Sequence, residues 1–350
     1  MKLLVTGGCG FIGSNFVRYL LQARSEWEVT VLDLLTYSGN LGNVSDLVPC
    51  PRFRFRKGDI GDPDAVARTA AGVDAIVNFA AESHVDRSIL EAMPFTRTNT
   101  LGTQVLLEAA RSARIGRFLQ ISTDEVYGSL GPTGRFREDT PLTPNSPYSA
   151  SKAAADLLVR AYVQTHALPA IVLRSSNAYG PYQFPEKLIP LTIANASQGK
   201  PLPVYGDGLH VRDWVHVLDL CEAILEVLER GRTGEVYNVG GGNERTNLDV
   251  VHAIVELTGS SKSLIRFVQD RPGHDRRYAM DFTKIRTELG WRPRRAFEEG
   301  LCETVQWYTQ QRSWVESVAT GEYRSYYERQ YGARLAAAAL APRASLATAK

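Results

Sequence analysis

The glycine-rich segment VTGGCGFIG, Val5–Gly13, places Gly7, Gly10 and Gly13 between a short apolar run and an amphipathic stretch. The run Lys2–Thr6 predicts a strand, and the stretch after Gly10 predicts a helix. Glycines at this junction permit a tight turn and a close approach of helix to strand, and the N–H groups at the helix start stay free to bind a diphosphate. The segment therefore predicts a strand–helix unit with an anion site at its junction.

Apolar runs and amphipathic stretches alternate through the first half of the chain. We predict strands over residues 2–6, 28–33, 52–59, 74–81, 116–122 and 170–176, and helices near residues 11–24, 63–71, 95–114 and 148–166. Strict alternation implies right-handed crossovers and a parallel sheet covered by helices on both faces. The predicted fold class is α/β, a doubly wound parallel Rossmann sheet with a smaller α/β lobe that we expect to bind substrate.

The pattern loosens after about residue 180, where prolines and turn sequences become frequent. We predict a Rossmann domain over residues 1–180 and a mainly substrate-binding lobe over residues 181–331. Helices are expected near residues 187–198, 217–230, 247–258, 281–289 and 297–312, and residues 217–239 are expected to return to the parallel sheet. The Ala-rich tail, residues 332–350, has no apolar partner pattern and is predicted to be disordered.

An acidic residue follows the glycine segment at the distance typical of dinucleotide sites. Asp33 lies 20 residues after Gly13, at the end of the second predicted strand, where it can accept from a ribose 2′-hydroxyl and would repel a 2′-phosphate. The prediction is NAD rather than NADP. Asp59 ends the third strand near an adenine, or forms part of a turn in GDIGDP; Ala80 and Ala81 are small where backbone passes the cofactor. The plainer alternative is that the glycines only pack a helix and Asp33 caps a loop.

The sequence YSASK places Tyr148 and Lys152 one helical turn apart on the same face. A nearby ammonium lowers the pKa of a tyrosine, so the phenolate becomes a base near neutral pH, and the lysine can also bind a nicotinamide ribose. Thr123, at the end of the preceding strand, can share a hydrogen bond with the same substrate hydroxyl. The alternative is a surface lysine beside a packed tyrosine.

Two adjacent acids follow a strand that should be buried. GRFLQIS runs into STDEVYG, which carries Asp124 and Glu125. Burying an unpaired charge costs several kcal/mol, whereas the carboxyl ends of strands in a doubly wound sheet are where ligands bind. The pair is therefore a candidate for proton transfer. Alternatively, one acid caps the following turn and the other faces solvent.

Several motifs in order along the chain carry a family resemblance: TGGCGFIGSN, DLLTYSGN, FAAESHVDRS, STDEVYG, SPYSASK, NAYGPYQFPEKLIP, YGDGLHVRDWVHVLD and DRPGHDRRY. From Met1 to about Tyr331 the chain resembles the extended short-chain dehydrogenase/reductases, and within them most the dTDP-glucose 4,6-dehydratases. TDEVYG discriminates, because the epimerases and decarboxylases of this superfamily generally lack the acid pair there.

The resemblance implies a hydro-lyase that converts dTDP-glucose to dTDP-4-keto-6-deoxyglucose and water. Tyr148 would take the proton of the sugar 4-hydroxyl while hydride passes from C4 to NAD. The new carbonyl acidifies C5–H, so Glu125 would act as the base at C5 and Asp124 as the acid that protonates the leaving hydroxyl at C6. Asp124 needs a raised pKa for that role, which burial beside Glu125 would provide. Hydride would then return to C6.

The resemblance also implies sets of binding residues. The cofactor set is Gly7, Gly10, Phe11, Ile12, Gly13, Asp33, Leu35, Thr36, Asp59, Ile60, Ala80, Ala81, Ser83, Thr98, Tyr148, Lys152 and Ala178. The substrate set is His84, Thr123, Asn177, Lys187, Leu188, Pro203, Val204, Tyr205, Arg212, Asn247, Arg271 and His274. In the family the basic members of the second set contact the pyrophosphate or flank the nucleoside, and residues 203–205 lie along the base. Ala178 departs from the family, which usually has a second asparagine there.

Three other functions fit parts of the sequence. The same dehydration could act on a UDP-sugar, because thymine and uracil differ by one methyl group, worth about 1–3 kcal/mol in an apolar pocket. A cofactor-sensing binding protein with a dead site would use the same fold, but it should have lost Tyr148, Lys152 or an acid. A nucleotide-sugar 4-epimerase would have no use for Asp124 and Glu125.

Composition limits the partners and the location. A net charge of +2 with 22% charged residues demands neither nucleic acid nor an anionic membrane. Four scattered cysteines, without a CxxC pair, predict no disulfide framework and no metal site, and no apolar stretch is long enough for a signal peptide. We expect a cytoplasmic location. The family resemblance implies a homodimer that pairs the helices near residues 95–114 and 148–166 as a four-helix bundle, which small residues such as Ala110, Ala154 and Ala161 would permit.

Overall fold

The computed structural model describes residues 1–319 and 321–340. The strands are β1 Lys2–Thr6, β2 Glu28–Asp33, β3 Phe53–Lys57, β4 Ala75–Asn78, β5 Arg117–Thr123, β6 Ala170–Ser175, β7 Asn177–Tyr179, β8 Leu202–Tyr205, β9 Val211–His216, β10 Val236–Val239, β11 Glu244–Thr246 and β12 Ile265–Val268. The helices are α1 Phe11–Ala23, α2 Pro63–Ala70, α3 Val85–Leu90, α4 Met93–Phe95, α5 Thr103–Ser112, α6 Pro147–His166, α7 Leu188–Ala196, α8 Val217–Arg230, α9 Asn247–Thr258, α10 Thr283–Leu289, α11 Phe297–Gln310, α12 Arg312–Val318, α13 Gly321–Tyr327 and α14 Ala333–Leu340. Four short 3₁₀ turns and two π-helical stretches connect some of them: Leu41–Asn43, Ser45–Leu47, Asp124–Tyr127 and Lys262–Leu264, and Thr96–Gly102 and Glu328–Gly332.

The central sheet has seven strands in the order β10-β6-β5-β4-β1-β2-β3. Every neighbouring pair is parallel. The strand order reverses direction between β1 and β4, and in such sheets ligands bind outside the carboxyl ends of the strands at that crevice. The sheet confirms the predicted doubly wound Rossmann fold.

Helices cover both faces of this sheet, each through its own apolar cluster. On one face α1 and α8 pack through side chains such as Phe16, Leu20 and Ile224. On the other face α2, α5 and α6 pack through side chains such as Val66 and Leu106. Because both faces are covered, the ligand crevice lies at the strand ends.

The remaining strands form two small sheets beyond the carboxyl ends of the large one. One has the order β11-β9-β7, with an antiparallel and a parallel pair, and the other pairs β12 with β8 in parallel. The apolar cluster between α7, α9 and α11 supports them. Helix α8 packs on α1, and β10 forms the edge of the large sheet beside β6. The division of the chain into two lobes near residue 180 stays a prediction.

Two differences from the sequence predictions concern predicted elements, besides helices such as α3, α12 and α13 that were not predicted. The helix expected over residues 95–114 is divided into α4, a π-helical stretch and α5. The tail predicted to be disordered over residues 332–350 is helical over Ala333–Leu340, because α14 packs against β12 and the side chain of Arg334 donates to the Tyr205 hydroxyl. Residues 341–350 lie outside the described residues. Within the described ranges, no helix is both long and apolar enough to cross a membrane.

Candidate active site

A deep cleft follows the carboxyl ends of β1, β2 and β4 and the start of α1. Fifteen of the seventeen predicted cofactor residues line it: Gly7, Gly10, Phe11, Ile12, Gly13, Asp33, Thr36, Asp59, Ile60, Ala80, Ala81, Ser83, Thr98, Tyr148 and Lys152. The structure does not place Leu35 or Ala178 on this wall. Leu35 has a left-handed backbone conformation with a φ of 59°, and Ala178 is the middle residue of β7 in the separate small sheet and lines the neighbouring cavity.

The glycine junction leaves room that side chains would fill. Gly7 has a φ of 66°, and a Cβ atom there would lie 2.6 Å from the backbone of Ala80. A Cβ atom on Gly13 would lie 2.8 Å from the Cα atom of Gly8. Helix α1 can therefore approach β1 and β4 closely, and its N–H groups face the cleft as a diphosphate would require.

Asp33 lies on the cleft wall at the carboxyl end of β2. Its Oδ2 accepts from the Cys9 N–H at 2.8 Å and its Oδ1 accepts from the Leu35 N–H at 2.8 Å. Burial raises the pKa of Asp33, whereas the two N–H donors lower it. Each carboxylate oxygen can accept one more hydrogen bond, so the side chain suits a ribose diol. Ser122 Oγ, also on the cleft wall, is buried and has no hydrogen-bond partner among the residues described. These residues fit NAD.

Tyr148 and Lys152 lie in the first turns of α6. The sequence SPYS fixes that start: the Ser146 side chain accepts from the Ser149 N–H, the Ser149 hydroxyl bonds back to the Ser146 N–H, and Pro147 occupies the first position. Lys152 Nζ donates to the backbone oxygen of Ile121 at 2.7 Å, which holds the lysine against the end of β5.

The pKa shifts of this pair differ from the sequence prediction. We expected Lys152 to lower the pKa of Tyr148, but burial and then the carboxylates of Glu125 and Asp124 raise it, against a lowering contribution from the Thr123 hydroxyl. Burial lowers the pKa of Lys152 to about 8, although Asp156 opposes this. The tyrosine is therefore protonated in the free enzyme, and the lysine titrates near physiological pH.

The two acids occupy different environments. Glu125 lines the second cavity, while Asp124 is 1% exposed and lies beneath its wall. Burial and then Glu125 raise the pKa of Asp124 well above its usual range, and its Oδ2 has no hydrogen-bond partner in the described structure. Burial also raises the pKa of Glu125 overall, although the charges of Arg271, Lys187 and Arg212 oppose this rise. Asp124 is thus the better proton donor and Glu125 the better base.

Thr123 connects these acids to the tyrosine. Its hydroxyl donates to Asp124 Oδ1 at 3.2 Å and accepts from the Glu125 N–H at 3.2 Å, which starts the short 3₁₀ turn after β5. It also lies within hydrogen-bonding reach of Tyr148, whose pKa it lowers. The five predicted catalytic residues therefore lie around one strand end.

The second cavity adjoins the cleft, and the predicted substrate residues lie in its wall. Except for Thr123, all of them line it: His84, Asn177, Lys187, Leu188, Pro203, Val204, Tyr205, Arg212, Asn247, Arg271 and His274. Asn177 Oδ1, Asn247 Oδ1 and Arg271 Nε are buried without a hydrogen-bond partner among residues 1–319 and 321–340. Buried polar atoms are rarely left unpaired, so these atoms indicate that the cavity takes a polar ligand.

His84 is held by the protein. One ring nitrogen lies 3.2 Å from the backbone oxygen of Glu186, and the other lies 3.3 Å from the hydroxyl of Tyr326. Burial lowers its pKa, so the ring is neutral. Its place in the cavity wall agrees with the prediction, but both polar atoms already have protein partners.

Sequence reasoning missed several polar residues of the site besides Ser122. Gln183 and Glu186 line both the cleft and the cavity, and Asp86 and Tyr331 line the cavity alone. Asp86 lies in HVDRS and Glu186 in PEKLIP, so the quoted motifs contained the signal for both. Tyr331 belongs to the C-terminal segment, which carries no comparable motif.

The comparisons with known proteins agree with this geometry. The family model described as GDP-mannose 4,6 dehydratase matches residues 4–304. A dTDP-glucose 4,6-dehydratase of Streptomyces niveus is 56% identical over 320 residues, which cover 90% of this chain and 95% of that protein.

Among solved structures, a dTDP-glucose 4,6-dehydratase is more similar to this chain than a 4-epimerase is. DesIV, a dTDP-glucose 4,6-dehydratase of Streptomyces venezuelae solved with NAD bound, has a TM-score of 0.89 and 52% identity, covering 91% of this chain and all of that one. A UDP-glucose 4-epimerase of Thermus thermophilus, also solved with NAD, is more distant at a TM-score of 0.83 and 33% identity, covering 89% of this chain and 100% of that chain. The chain belongs to the dTDP-glucose 4,6-dehydratase family.

Proposed function

We propose that this chain converts dTDP-glucose to dTDP-4-keto-6-deoxyglucose and water, with NAD recycled in each turnover. The observation that carries this proposal is the acid pair at the end of β5. Asp124 is buried with a strongly raised pKa, whereas Glu125 lines the substrate cavity near three cationic side chains. Oxidation and epimerisation need no such pair, but elimination of water needs both an acid and a base.

Residues of the cleft wall, among them Gly7, Gly10 and Asp33, would hold NAD, which would supply the acceptor for the C4 hydride and its donor for C6. Because Tyr148 is protonated in the free enzyme, it must lose its proton to solvent before it can accept the proton of the 4-hydroxyl. The Thr123 hydroxyl, which lowers the pKa of Tyr148, favours that loss. Lys152 contributes a positive charge that favours the phenolate, and its hydrogen bond to Ile121 O fixes its position. That proton then passes from Tyr148 to solvent, and Asp124 regains from solvent the proton that it donates in the elimination.

Elimination uses the acids on the oxidised sugar. Glu125 removes the proton at C5, the electron pair forms the C5–C6 double bond, and the C6–O bond breaks. Asp124 donates its proton to the departing hydroxide, which leaves as water. Hydride addition at C6 and return of a proton to C5 complete the 4-keto-6-deoxy sugar, so atoms and electrons balance over the turnover.

The nucleotide is bound at the far end of the cavity. Arg271 and Arg212 supply charge for the diphosphate, and Pro203, Val204 and Tyr205 form the wall along the base. A UDP-sugar is the alternative substrate, since one methyl group separates the two bases. Purified enzyme incubated with NAD and either dTDP-glucose or UDP-glucose tests this. We expect a base-labile 4-keto product, formed with higher kcat/KM from dTDP-glucose. A galactose-type product would contradict the dehydratase proposal.

A homodimer extends this proposal. Apolar side chains of α3, of the π-helical stretch after α4 and of α6 are exposed, among them Leu90, Leu101 and Leu157. Helices that pair with a second copy would bury such residues. Leu157→Glu should therefore lower the molecular mass in sedimentation from that of a dimer to that of a monomer. An unchanged mass would count against this interface.

The cysteines Cys9, Cys50, Cys221 and Cys302 are all free thiols, which supports a reducing, cytoplasmic location.

A further inference from the structure

The C-terminal segment, residues 321–340, packs along the wall of the substrate cavity. Side chains spaced three or four residues apart contact Pro185, beside that wall, and then three residues of the wall itself. Tyr323 donates to Pro185 O at 3.1 Å, Tyr326 lies 3.3 Å from His84 Nδ1, Gln330 contacts Asp86, and Arg334 Nη1 donates to the Tyr205 hydroxyl at 3.0 Å. Because these partners lie on different elements, the segment connects several parts of the cavity wall.

The contacts converge on a buried carboxylate. Asp86 is 3% exposed, and its Oδ1 accepts from Arg271 Nη1 at 2.8 Å. Its Oδ2 accepts from the Tyr205 hydroxyl at 2.7 Å and from Gln330 Nε2 at 2.9 Å. We call these four residues the Asp86 junction. Two of its members, Arg271 and Tyr205, belong to the predicted substrate set, and both line the cavity.

Charge and hydrogen bonding hold the junction together. Burial alone would raise the pKa of Asp86, but the charge of Arg271 and the hydrogen bonds from Arg271 and Tyr205 lower it overall, so the carboxylate is ionised. Gln330 Nε2 also lies 2.7 Å from the Tyr205 hydroxyl. Removing the Gln330 amide would take one hydrogen-bond donor from Asp86 and one from Tyr205. Loss of a donor to a buried ionised group is costly in free energy.

The next residue, Tyr331, reaches the cavity itself. It is 5% exposed, lines the cavity, and its ring centroid lies 6.0 Å from that of Tyr205. Tyr205 and Tyr331 thus supply adjacent aromatic surfaces where residues 203–205 form the wall expected along the base. The C-terminal segment therefore contributes to the nucleotide end of the cavity.

We propose that the C-terminal segment forms one wall of the nucleotide end of the substrate cavity, and that Gln330 is a positioning residue. Through the Asp86 junction it sets Arg271 for the diphosphate and Tyr205 for the base. This proposal rests on the proposed function, because it takes the ligand to be a nucleoside diphosphate. Linkage makes the effect reciprocal: the docked segment strengthens nucleotide binding, and bound nucleotide stabilises the docked segment.

The first test compares Gln330→Glu with Arg329→Gln. Both substitutions change the net charge by the same amount, but Arg329 is exposed on the neighbouring position. Gln330→Glu places a second carboxylate against Asp86, so we expect KM for dTDP-glucose and Kd for dTDP to rise about tenfold or more. We expect kcat and the Kd for NAD to change less than about twofold, since neither the acids nor the cofactor cleft is altered. Arg329→Gln should match the native enzyme.

A paired substitution tests the contact itself. The amide introduced by Asp86→Asn can donate to the carboxylate introduced by Gln330→Glu, so the double variant should bind dTDP more tightly than additivity of the single variants predicts. Additive losses, or native dTDP affinity in Gln330→Glu, would overturn the proposal.

Hydrogen exchange tests the native enzyme without a substitution. Saturating dTDP should slow amide exchange in peptides covering residues 321–334, and NAD alone should not. If amide exchange in these peptides is unchanged when dTDP is bound, the proposal that the C-terminal segment forms a wall of the cavity is wrong. If the native enzyme failed to bind dTDP at all, the proposed function would be refuted first, so the two failures are distinguishable.

Discussion

Gly13→Ala provides a strong test of the cofactor cleft because two physical effects predict opposite results. Gly13 lies within α1, where alanine is favoured over glycine by about 1 kcal/mol. On helix propensity alone the variant should be more stable than the native enzyme. The geometry of the glycine junction predicts the reverse.

The added methyl group would overlap backbone atoms. Its carbon would lie 2.8 Å from Gly8 Cα and 3.1 Å from the Gly7 carbonyl carbon, and closer still to the Gly7 oxygen. Carbon atoms normally approach to about 3.5 Å, so α1 must move by about 0.7 Å relative to the turn. Overpacking of this kind costs about 1–3 kcal/mol. We therefore expect a net loss of stability despite the gain in propensity.

Chemical denaturation and NAD titration measure the two consequences. Gly13→Ala should unfold at lower denaturant and bind NAD at least about tenfold more weakly, because the N–H groups of the turn are displaced. The control is Gly290→Ala, where φ is 77° and nothing lies within 4 Å of the added carbon. It should lose about 1 kcal/mol from backbone strain alone and keep native NAD affinity. Native NAD affinity together with unchanged or higher stability in Gly13→Ala would refute the close approach.

Three further predictions follow from named contacts. Asp33→Asn removes the charge expected to repel a 2′-phosphate, so the NADP-to-NAD affinity ratio in titrations should rise about tenfold; an unchanged ratio would exclude that role. Because the Lys152 ammonium has a pKa of about 8, kcat/KM should fall as pH rises through about 8. The Lys152→Arg variant stays charged, so its residual activity should not fall as pH rises through about 8. If its kcat/KM falls there as in the native enzyme, the titrating group is not Lys152. Asp156→Ala leaves buried Arg174 unpaired and should cost about 3–5 kcal/mol in denaturant unfolding; a loss as small as that of exposed Asp139→Ala would contradict this.

The sequence was most informative where local pattern decides structure. The strands over residues 2–6 and 28–33 and the helix over residues 217–230 have the predicted bounds, because their apolar residues repeat with the period of one element. The glycine junction and Asp33 could be predicted for the same reason, since their spacing is set by a single strand–helix–strand unit.

Features that depend on distant packing could not be predicted. Gln330 meets Asp86 across 244 residues, and Tyr205 meets it across 119, so no local spacing shows the Asp86 junction. The helix α14 was missed because its partners lie on β12 and at Tyr205. The pKa of Tyr148 was expected to fall. The direction of its shift depends on burial and on two carboxylates that only the fold brings near the tyrosine, and these raise it.

The central claim is that Glu125 serves the elimination step and not the oxidation. Glu125→Gln keeps the size of the side chain and removes its basicity. In a single turnover with dTDP-glucose and bound NAD, we expect the near-ultraviolet absorbance of reduced nicotinamide to rise and persist while no 4-keto-6-deoxy product forms. Release of that product at the native rate would contradict the assignment of the acid pair.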